Sequence, residues 1–336
     1  MHTAWQDTTW CSATFAKATV ARPIGDWPAL VLTAGLATRL QPLSSVRAKA
    51  ALPVAGTPLV TRILHWLRAA GIRRVVLNLH HRADTITRLV GDGSSVDLDV
   101  RYSWESDILG SAGGPARALP LLESDRFLIV NGDTLADVDL QALTRQHVDT
   151  NAQVTMAVVD GRPEYNGVIA GESGIVRGFG RAPGAFHFIG IQAVNAAAFS
   201  GVSPEVRSET VLGIYPQMIA RRPEAIRMFH TGAEFFDIGS PRDYLETAIT
   251  IAAREGRPLD RGRDCVVAKD ASVTNTILWD RVTVGAGAQL TDCIVTDDVT
   301  VPPLAKYSHS SLVMRDNGLS AEQWNQGSSS ISPNRT

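Results

Sequence analysis

Apolar and polar positions fall into a regular order only after residue 26. Ala29-Leu-Val-Leu-Thr33 is a short apolar run, the text of a strand buried on both faces. Residues 57–70 (TPLVTRILHWLRAA) carry the period of an amphipathic helix, with Thr57 as N-cap, Pro58 in the first turn and Gly71 just past the end. Val75 to Leu79 repeats the buried-strand text, a helix is predicted over 82–90, and Leu98 to Ser103 alternates as a strand does. Phe127 to Val130 is a further apolar strand, ending at Asn131-Gly132-Asp133. Strand and helix alternating over a hundred residues predict an α/β fold with a doubly wound, mixed but mostly parallel sheet.

From 153 to 194 the text changes to strands and turns (VTMAVV, NGVIA, IVRGF, FHFIGIQAV), which predicts antiparallel strands within or beside that sheet. Helical text returns at 211–221 and strand text at 225–230. A last helix is announced by Ser240-Pro241-Arg242-Asp243, with Ser240 as cap and Pro241 at the first helical position. Then the chain repeats itself. TNTILWDRVTV (274–284) laid over TDCIVTDDVTV (291–301) matches at six of eleven positions, a shift of 17 residues. Short β-branched triplets between Gly, Asp, Pro and Ala predict stacked coils of a short C-terminal left-handed parallel β-helix. The expected organisation is a loose arm over 1–26, an α/β domain over 27–253, a linker over 254–263, the repeat over 264–313 and a disordered tail over 314–336.

Composition narrows the function classes. The 336 residues are 44% hydrophobic and 20% charged, an ordinary globular balance. A net charge of −2 gives no field that would favour nucleic acid or an anionic membrane, and no apolar run approaches the roughly 20 residues of a membrane helix. Asp7 and Lys17 interrupt the N-terminal text where a signal peptide needs an apolar core. Cys11, Cys265 and Cys293 are odd in number and far apart, without metal spacing. These features predict a cytoplasmic protein with neither nucleic acid nor membrane as partner. Only four of the 32 basic residues are lysines, so Lys49, the one lysine between 18 and 268, stands out.

Several segments carry candidate chemistry. Thr33, Ala34, Gly35 and Thr38 lie in a small-residue loop after the first strand, where backbone N–H groups can approach a phosphate or base closely. Arg39 adds a permanent planar charge suited to phosphate oxygens. The loop is neither a Walker A nor a GxGxxG fingerprint, and it also fits a plain βα turn with a solvated arginine. Lys49 can act as a point charge on a phosphate. Asp133 ends a buried strand, and Asp237 precedes a helix that it could equally serve as an N-terminal partner. Two such aspartates suit Mg²⁺. Gly110-Ser-Ala-Gly-Gly114 opens a helix whose N-terminus suits an anion or a sugar, or simple packing. No Ser-His-Asp or Cys-His order points to a covalent nucleophile, and His65 and His187 read as core or helix-surface residues.

Taken in order, AGLATRLQPL, RAKAALPVAGTPLV, LGSAGGPARAL, VNGDTLADVDL and FFDIGSPRDYLETA resemble the motifs of the sugar-1-phosphate nucleotidyltransferases, over about 29–250. The resemblance implies a Rossmann-like nucleotidyltransferase domain over 27–253. It also implies Mg²⁺-dependent transfer of a nucleoside monophosphate from an NTP to a sugar 1-phosphate, with release of pyrophosphate. Arg39 would grip the β- and γ-phosphates, Lys49 would neutralise the reacting phosphates, and Asp133 and Asp237 would hold the metal. Thr33, Ala34, Gly35, Thr38, Arg39, Glu105 and Gly110 would bind the nucleotide. Ser111, Ala112, Gly113, Tyr165, Asn166, Gly167 and Arg181 would line the sugar phosphate.

The coiled C-terminus is similar to that of mannose-1-phosphate guanylyltransferase-like members, so GTP with mannose 1-phosphate leads and a homo-oligomer through the β-helix is expected. The 101–114 stretch also resembles uridylyltransferases acting on N-acetylmuramate 1-phosphate. Three positions depart from the family pattern: Ala37 for glycine, Ala48 for proline, and Phe179-Gly-Arg-Ala-Pro183 for Glu-Lys-Pro. The last removes an acid expected to touch the sugar, which keeps open a catalytically quiet subunit that senses nucleotide sugars. A glycosyltransferase would not need Arg39, and an acyltransferase would need a longer β-helix with a placed histidine.

Overall fold

The computed structural model describes residues 27–161, 167–259 and 261–324. The expected arm over 1–26 lies outside them. In chain order the main elements are β1 (Ala29–Leu32), α1 (Leu59–Ala69), β2 (Arg74–Leu79), α2 (Ala83–Val90), β3 (Asp99–Trp104), α3 (Gly110–Leu122) and β4 (Arg126–Asn131). Then follow α4 (Leu140–Asp149), β5 (Val154–Val159), β6 (Gly167–Ala170), β7 (Val176–Gly180), β8 (His187–Asn195), α5 (Tyr215–Arg221), β9 (Ile226–His230) and α6 (Pro241–Arg254). The alternation read from the apolar runs is therefore present. No helix among the described residues is long and apolar enough to cross a membrane.

The chain divides into two compact units. One takes 27–35, Ile63–Ala83 and Val90–Phe235; the other takes Leu36–Arg62, Asp84–Leu89 and the chain from Phe236 onward. The first unit contains a seven-stranded sheet in the order β9-β5-β8-β4-β1-β2-β3. Strands β4, β1, β2 and β3 run parallel, β8 is antiparallel to both β4 and β5, and β9 is parallel to β5. The central strands need no polar face, because both of theirs are covered: Leu30, Phe127, Ile129, Val154 and Met156 are at most 1% exposed. Beside the sheet, β6 and β7 pair as an antiparallel ribbon, the expected edge strands.

The second unit contains the repeat. Val266–Val267 pairs with Thr283–Val284, and that strand with Thr300–Val301; Ser272–Thr274 pairs with Gln289–Thr291, and that strand with Lys306–Ser308. Ile277–Leu278 pairs with Ile294–Val295, and that strand with Ser311–Leu312. All are parallel, and every partner lies 17 residues on, the shift read from the sequence. Corners recur at the same interval. Asp264, Arg281 and Asp298 have φ of 58, 59 and 62°, and Asn275, Asp292 and His309 have 46, 52 and 49°. Asp and Asn tolerate this left-handed backbone better than other residues bearing a Cβ, which fits four of these six corners. Leu290, Cys293, Val299, Val301 and Leu312 fill the inside of the stack.

Three boundaries differ from expectation. Thr57 and Pro58 do not start α1: they form a short strand with Pro53–Val54, closed by Ala55 and Gly56 at φ 46 and 77°, so the helix begins at Leu59. Two successive left-handed residues make a tight hairpin turn, and that local geometry overrides the capping signal. The tail expected to be disordered from 314 forms an antiparallel hairpin instead, Ser310–Arg315 with Gly318–Gln323, turning at Asp316-Asn317. Its polar text hides a two-residue Asp316-Asn317 turn followed by Gly318 at φ 110°, and Trp324 closes the hairpin with Nε1–H donating to the Ser311 hydroxyl. Residues 325–336 lie outside the described residues. Finally, the end of the linker already belongs to the coils, since the Gly262 N–H donates to the Leu278 carbonyl.

Candidate active site

The first unit assembles its part of the site at the carboxyl ends of its central strands. β1 and β4 are in register, Leu32 opposite Asn131, and the Gly132 N–H donates to the Leu32 carbonyl at 3.0 Å. A Cβ on Gly132 would sit 2.6 Å from that carbonyl oxygen and 2.7 Å from the Thr33 methyl. Glycine is needed there so that Asp133 can follow directly beside the Thr33-Ala34-Gly35 loop. A Cβ on Gly35 would meet nothing within 4 Å, so the loop faces open space there.

What aims the loop is a buried polar network. The Thr33 N–H donates to Asn78 Oδ1 at 2.7 Å and its hydroxyl to the Asn78 carbonyl; Asn78 Nδ2 donates to Glu105 Oε1 at 2.8 Å. Glu105 Oε2 accepts from the Leu109 N–H at 2.9 Å. Thr33, Asn78 and Glu105 are 7%, 4% and 5% exposed. Glu105, expected in the base pocket, has both carboxylate oxygens engaged internally, and ties the ends of β1, β2 and β3 to the start of α3. Asn78 was legible as the one polar residue in an apolar strand, yet the apolar pattern alone assigns it no role.

The glycine-rich segment is itself the first turn of α3. Its N-terminal N–H groups are occupied from within the chain: Ser111 N–H and hydroxyl donate to Glu209 Oε2 at 3.1 and 2.8 Å, and Ala112 N–H donates to the Ser208 carbonyl at 2.9 Å. The Glu209 carboxyl lies below its usual range: burial pushes it up, but the Ser111 bonds and Arg207 outweigh that. Gly110 has φ 75°, and a Cβ there would lie 2.6 Å from the Ser208 carbonyl oxygen. No signal in the polar text of 203–210 marks Glu209 as the partner of this helix. Arg181 is exposed and, with Gly167 and Phe186, lines an open cleft of about 740 Å³. Tyr165 and Asn166 lie outside the described residues.

In the second unit, Ala37 sits at φ 49° before the short 3₁₀ turn Thr38–Leu40, which accounts for the glycine the family places there. Thr38 and Arg39 are exposed. A Cβ on Gly239 would lie 3.2 Å from the Arg39 guanidinium and 3.2 Å from Asp243 Oδ2, so Arg39 rests against the turn that follows Asp237. Ser240 caps α6 as expected, its oxygen accepting from the Asp243 N–H. Lys49 opens another 3₁₀ turn, Lys49–Ala51, with Ala50 and Ala51 buried.

Among the described residues, no group of three or more His, Cys, Asp or Glu is placed to hold a metal by itself. Asp133, in the first unit, and Asp237, in the second, are both partly buried carboxylates. Hard oxygen donors of this kind fit Mg²⁺, which takes one or two carboxylates and fills its shell with water and phosphate oxygens.

A mostly parallel sheet with a small-residue loop and an aspartate at its carboxyl edge defines a Rossmann-like nucleotide-binding protein. The family model described as nucleotidyl transferase matches residues 28–254, and the chain belongs to that family, with the sugar-1-phosphate nucleotidyltransferases. It is 37% identical over 131 residues to a mannose-1-phosphate guanylyltransferase of Mycobacterium tuberculosis, covering 39% of this chain and 36% of that one. It is 42% identical over 115 residues to an N-acetylmuramate alpha-1-phosphate uridylyltransferase of Neisseria meningitidis, covering 34% and 50%. The matched segments thus span half or less of these curated relatives. The crystal structure of HddC from Yersinia pseudotuberculosis shares the fold, with a TM-score of 0.58 at 22% identity over 67% of this chain and 99% of that one.

Proposed function

We propose that this protein transfers a nucleoside monophosphate from an NTP to a sugar 1-phosphate, giving a nucleotide sugar and pyrophosphate, with GTP and mannose 1-phosphate as the preferred pair. The observation that carries the reading is the edge of β1 and β4, where Gly132 lets Asp133 emerge beside the Thr33–Gly35 loop. The M. tuberculosis relative, named for mannose 1-phosphate and guanylyl transfer, supports the substrate pair.

In this reading the backbone of Ala34, Gly35 and Gly110 lies along the nucleoside, and Thr38 and Arg39 hold the β- and γ-phosphates. An oxygen of the sugar phosphate attacks the α-phosphorus in line; the bond from that phosphorus to the β-phosphate oxygen breaks, and the electron pair leaves with pyrophosphate. Arg39 orients this leaving group, and Lys49 offsets charge on the reacting phosphates. Asp133 and Asp237 would hold Mg²⁺, which would supply further charge neutralisation. The attacking oxygen is already anionic, so no strong general base is needed, and the protein acts by positioning and charge.

The test is pyrophosphate release from a panel of NTPs against several sugar 1-phosphates with Mg²⁺. Release should require both substrates and fall by about a hundredfold or more in Lys49→Ala and in Asp133→Ala. A preference for UTP with N-acetylmuramate 1-phosphate would move the substrate assignment towards the N. meningitidis relative. If no pair reacts while a nucleotide sugar still raises Tm, the transferase reading fails. The chain would then be a nucleotide-sugar sensor, the reading favoured by the missing acid at 179–183.

A further inference from the structure

The segment carrying Lys49 is held before the lysine by residues of the C-terminal coils, and after it by Tyr244 of α6, which a coil residue supports in turn. Before the lysine, Arg47 makes a two-pronged contact with Asp297, Nε to Oδ2 at 2.8 Å and Nη2 to Oδ1 at 2.5 Å, and reaches Asp280 Oδ2 at 3.0 Å. The three side chains are only 17%, 14% and 16% exposed, so solvent screens this cluster less than a surface pair. The Arg47 guanidinium also lies 5.0 Å from the centre of the Trp279 ring. After the lysine, the Pro53 carbonyl accepts from the Tyr244 hydroxyl at 2.6 Å, and that hydroxyl accepts from Trp279 Nε1–H at 3.2 Å. Trp279 is 1% exposed and Tyr244 fully buried. One coil residue, Trp279, therefore supports both ends of 47–53.

Within the segment, the Ala48 N–H donates to Thr85 Oγ1, and the turn closes through the Ala51 N–H to the Ala48 carbonyl at 2.8 Å. The coils brace themselves at the same corner. The Asp280 N–H donates to Asp297 Oδ1, and Asp280 accepts from both the backbone and the guanidinium of Arg263. A fork held at two carboxylates with a ring against it fixes direction as well as distance.

We propose that the C-terminal coils are a positioning device for the transfer reaction, and that Arg47, held by Asp280 and Asp297, is the residue through which they aim the Lys49 turn. This rests on the nucleotidyl-transfer reading above for its catalytic half only. Arg47 itself is a positioning residue. A lysine displaced by about an ångström from the phosphate it serves loses much of its effect, so loosening the strut should lower kcat more than it changes KM.

The test uses the full chain with Arg47→Met, Arg47→Lys and Asp297→Asn; the asparagine still accepts from the Asp280 N–H but removes the charge. Arg47→Met should lower kcat about tenfold or more with KM for the NTP changed less. Arg47→Lys should recover part of the loss, and Asp297→Asn should fall between. Hydrogen exchange of the amides of 48–52 should quicken about tenfold in Arg47→Met and Asp297→Asn, while those of 283–284 and 300–301, inside the stack, stay protected. Unchanged exchange at 48–52 in both variants would overturn the proposal, and so would an unaltered kcat beside quickened exchange in an active enzyme. If the wild type itself releases no pyrophosphate, the functional reading falls, and exchange still decides whether the coils hold the turn.

Discussion

The two units fix their functional loops by opposite means. In the sheet unit the loop after β1 is held by a buried network of one hydroxyl, one amide and one carboxylate, Thr33 to Asn78 to Glu105. In the coil unit the Lys49 turn is held by charged groups that retain some solvent contact, around a buried tryptophan. A buried network fails by orphaning its partners, because a donor left without an acceptor away from water costs about 1–3 kcal/mol. A mostly buried ionic clamp that keeps one edge in water fails first by loosening, since the freed carboxylates can turn to solvent at that edge, though at more cost than in a surface pair. The sheet side should therefore break thermodynamically, and the coil side mechanically, except at Trp279.

Trp279 gives the largest expected effect. Trp279→Ala removes a ring that is 1% exposed together with its bond to Tyr244, and should cost about 3–5 kcal/mol in urea unfolding. Next comes Glu105→Ala, which leaves Asn78 Nδ2 and the Leu109 N–H without their acceptor and should cost about 2–4 kcal/mol. A loss near zero for Glu105→Ala would mean that water enters the network, and the contrast between the units would not hold. Arg47→Met, by comparison, should lower the urea midpoint less than Glu105→Ala does, while moving exchange and kcat.

Much of this was legible beforehand, for reasons that differ by region. The coils repeat one structural problem three times, so the 17-residue shift in the text became the register itself, Ile277 opposite Ile294 and Thr283 opposite Thr300. The Ser240 cap was legible because capping is local. The grouping of 36–62 with the coils was not. It is set by contacts between distant parts of the chain, among them a bond between residues 250 apart, Arg47 to Asp297, and nothing near either residue marks the other. Glu209 at the start of α3 was hidden for the same reason, and the 310–323 hairpin because its turn residues are also those of disordered text. The motifs located the candidate residues. Which of them point outward and which support others is a matter of tertiary contacts.

The sheet unit also contains a pH-sensitive core residue. His147 is 1% exposed, its ring nitrogens 2.9 Å from Thr155 Oγ1 and 3.1 Å from Asn195 Oδ1. Burial holds its imidazole below the usual value of 6.5, and the Asn195 bond only partly offsets this. The unfolded chain then takes up a proton near pH 6.5, whereas the folded chain waits for a lower pH. Its contribution is complete above 6.5 and is lost progressively as the pH falls below that value, by up to about 1 kcal/mol at pH 5.5. Urea midpoints at pH 7.5 and 5.5 should show this decline, and His147→Gln should flatten it. An equal slope in the variant would assign the dependence to other groups.

The smallest expected effect concerns a glycine the coil unit lacks. At Gly110 in the sheet unit, φ is 75° and a Cβ would also strike the Ser208 carbonyl oxygen at 2.6 Å, so both backbone and packing require glycine. At Ala37 the backbone requirement exists alone: φ is 49°, and the alanine carries it. A left-handed alanine costs about 1 kcal/mol, whereas glycine there relieves the strain but gives the unfolded chain more freedom. The two terms oppose, and the strain term is the larger, so Ala37→Gly should raise stability by roughly 0.5 kcal/mol. Gly110→Ala should lower it by more than that, since strain and collision add. If Ala37→Gly instead lowers the midpoint, the alanine is held by contacts that outweigh its backbone, and the loop before Arg39 is fixed by packing as firmly as the one before Asp133.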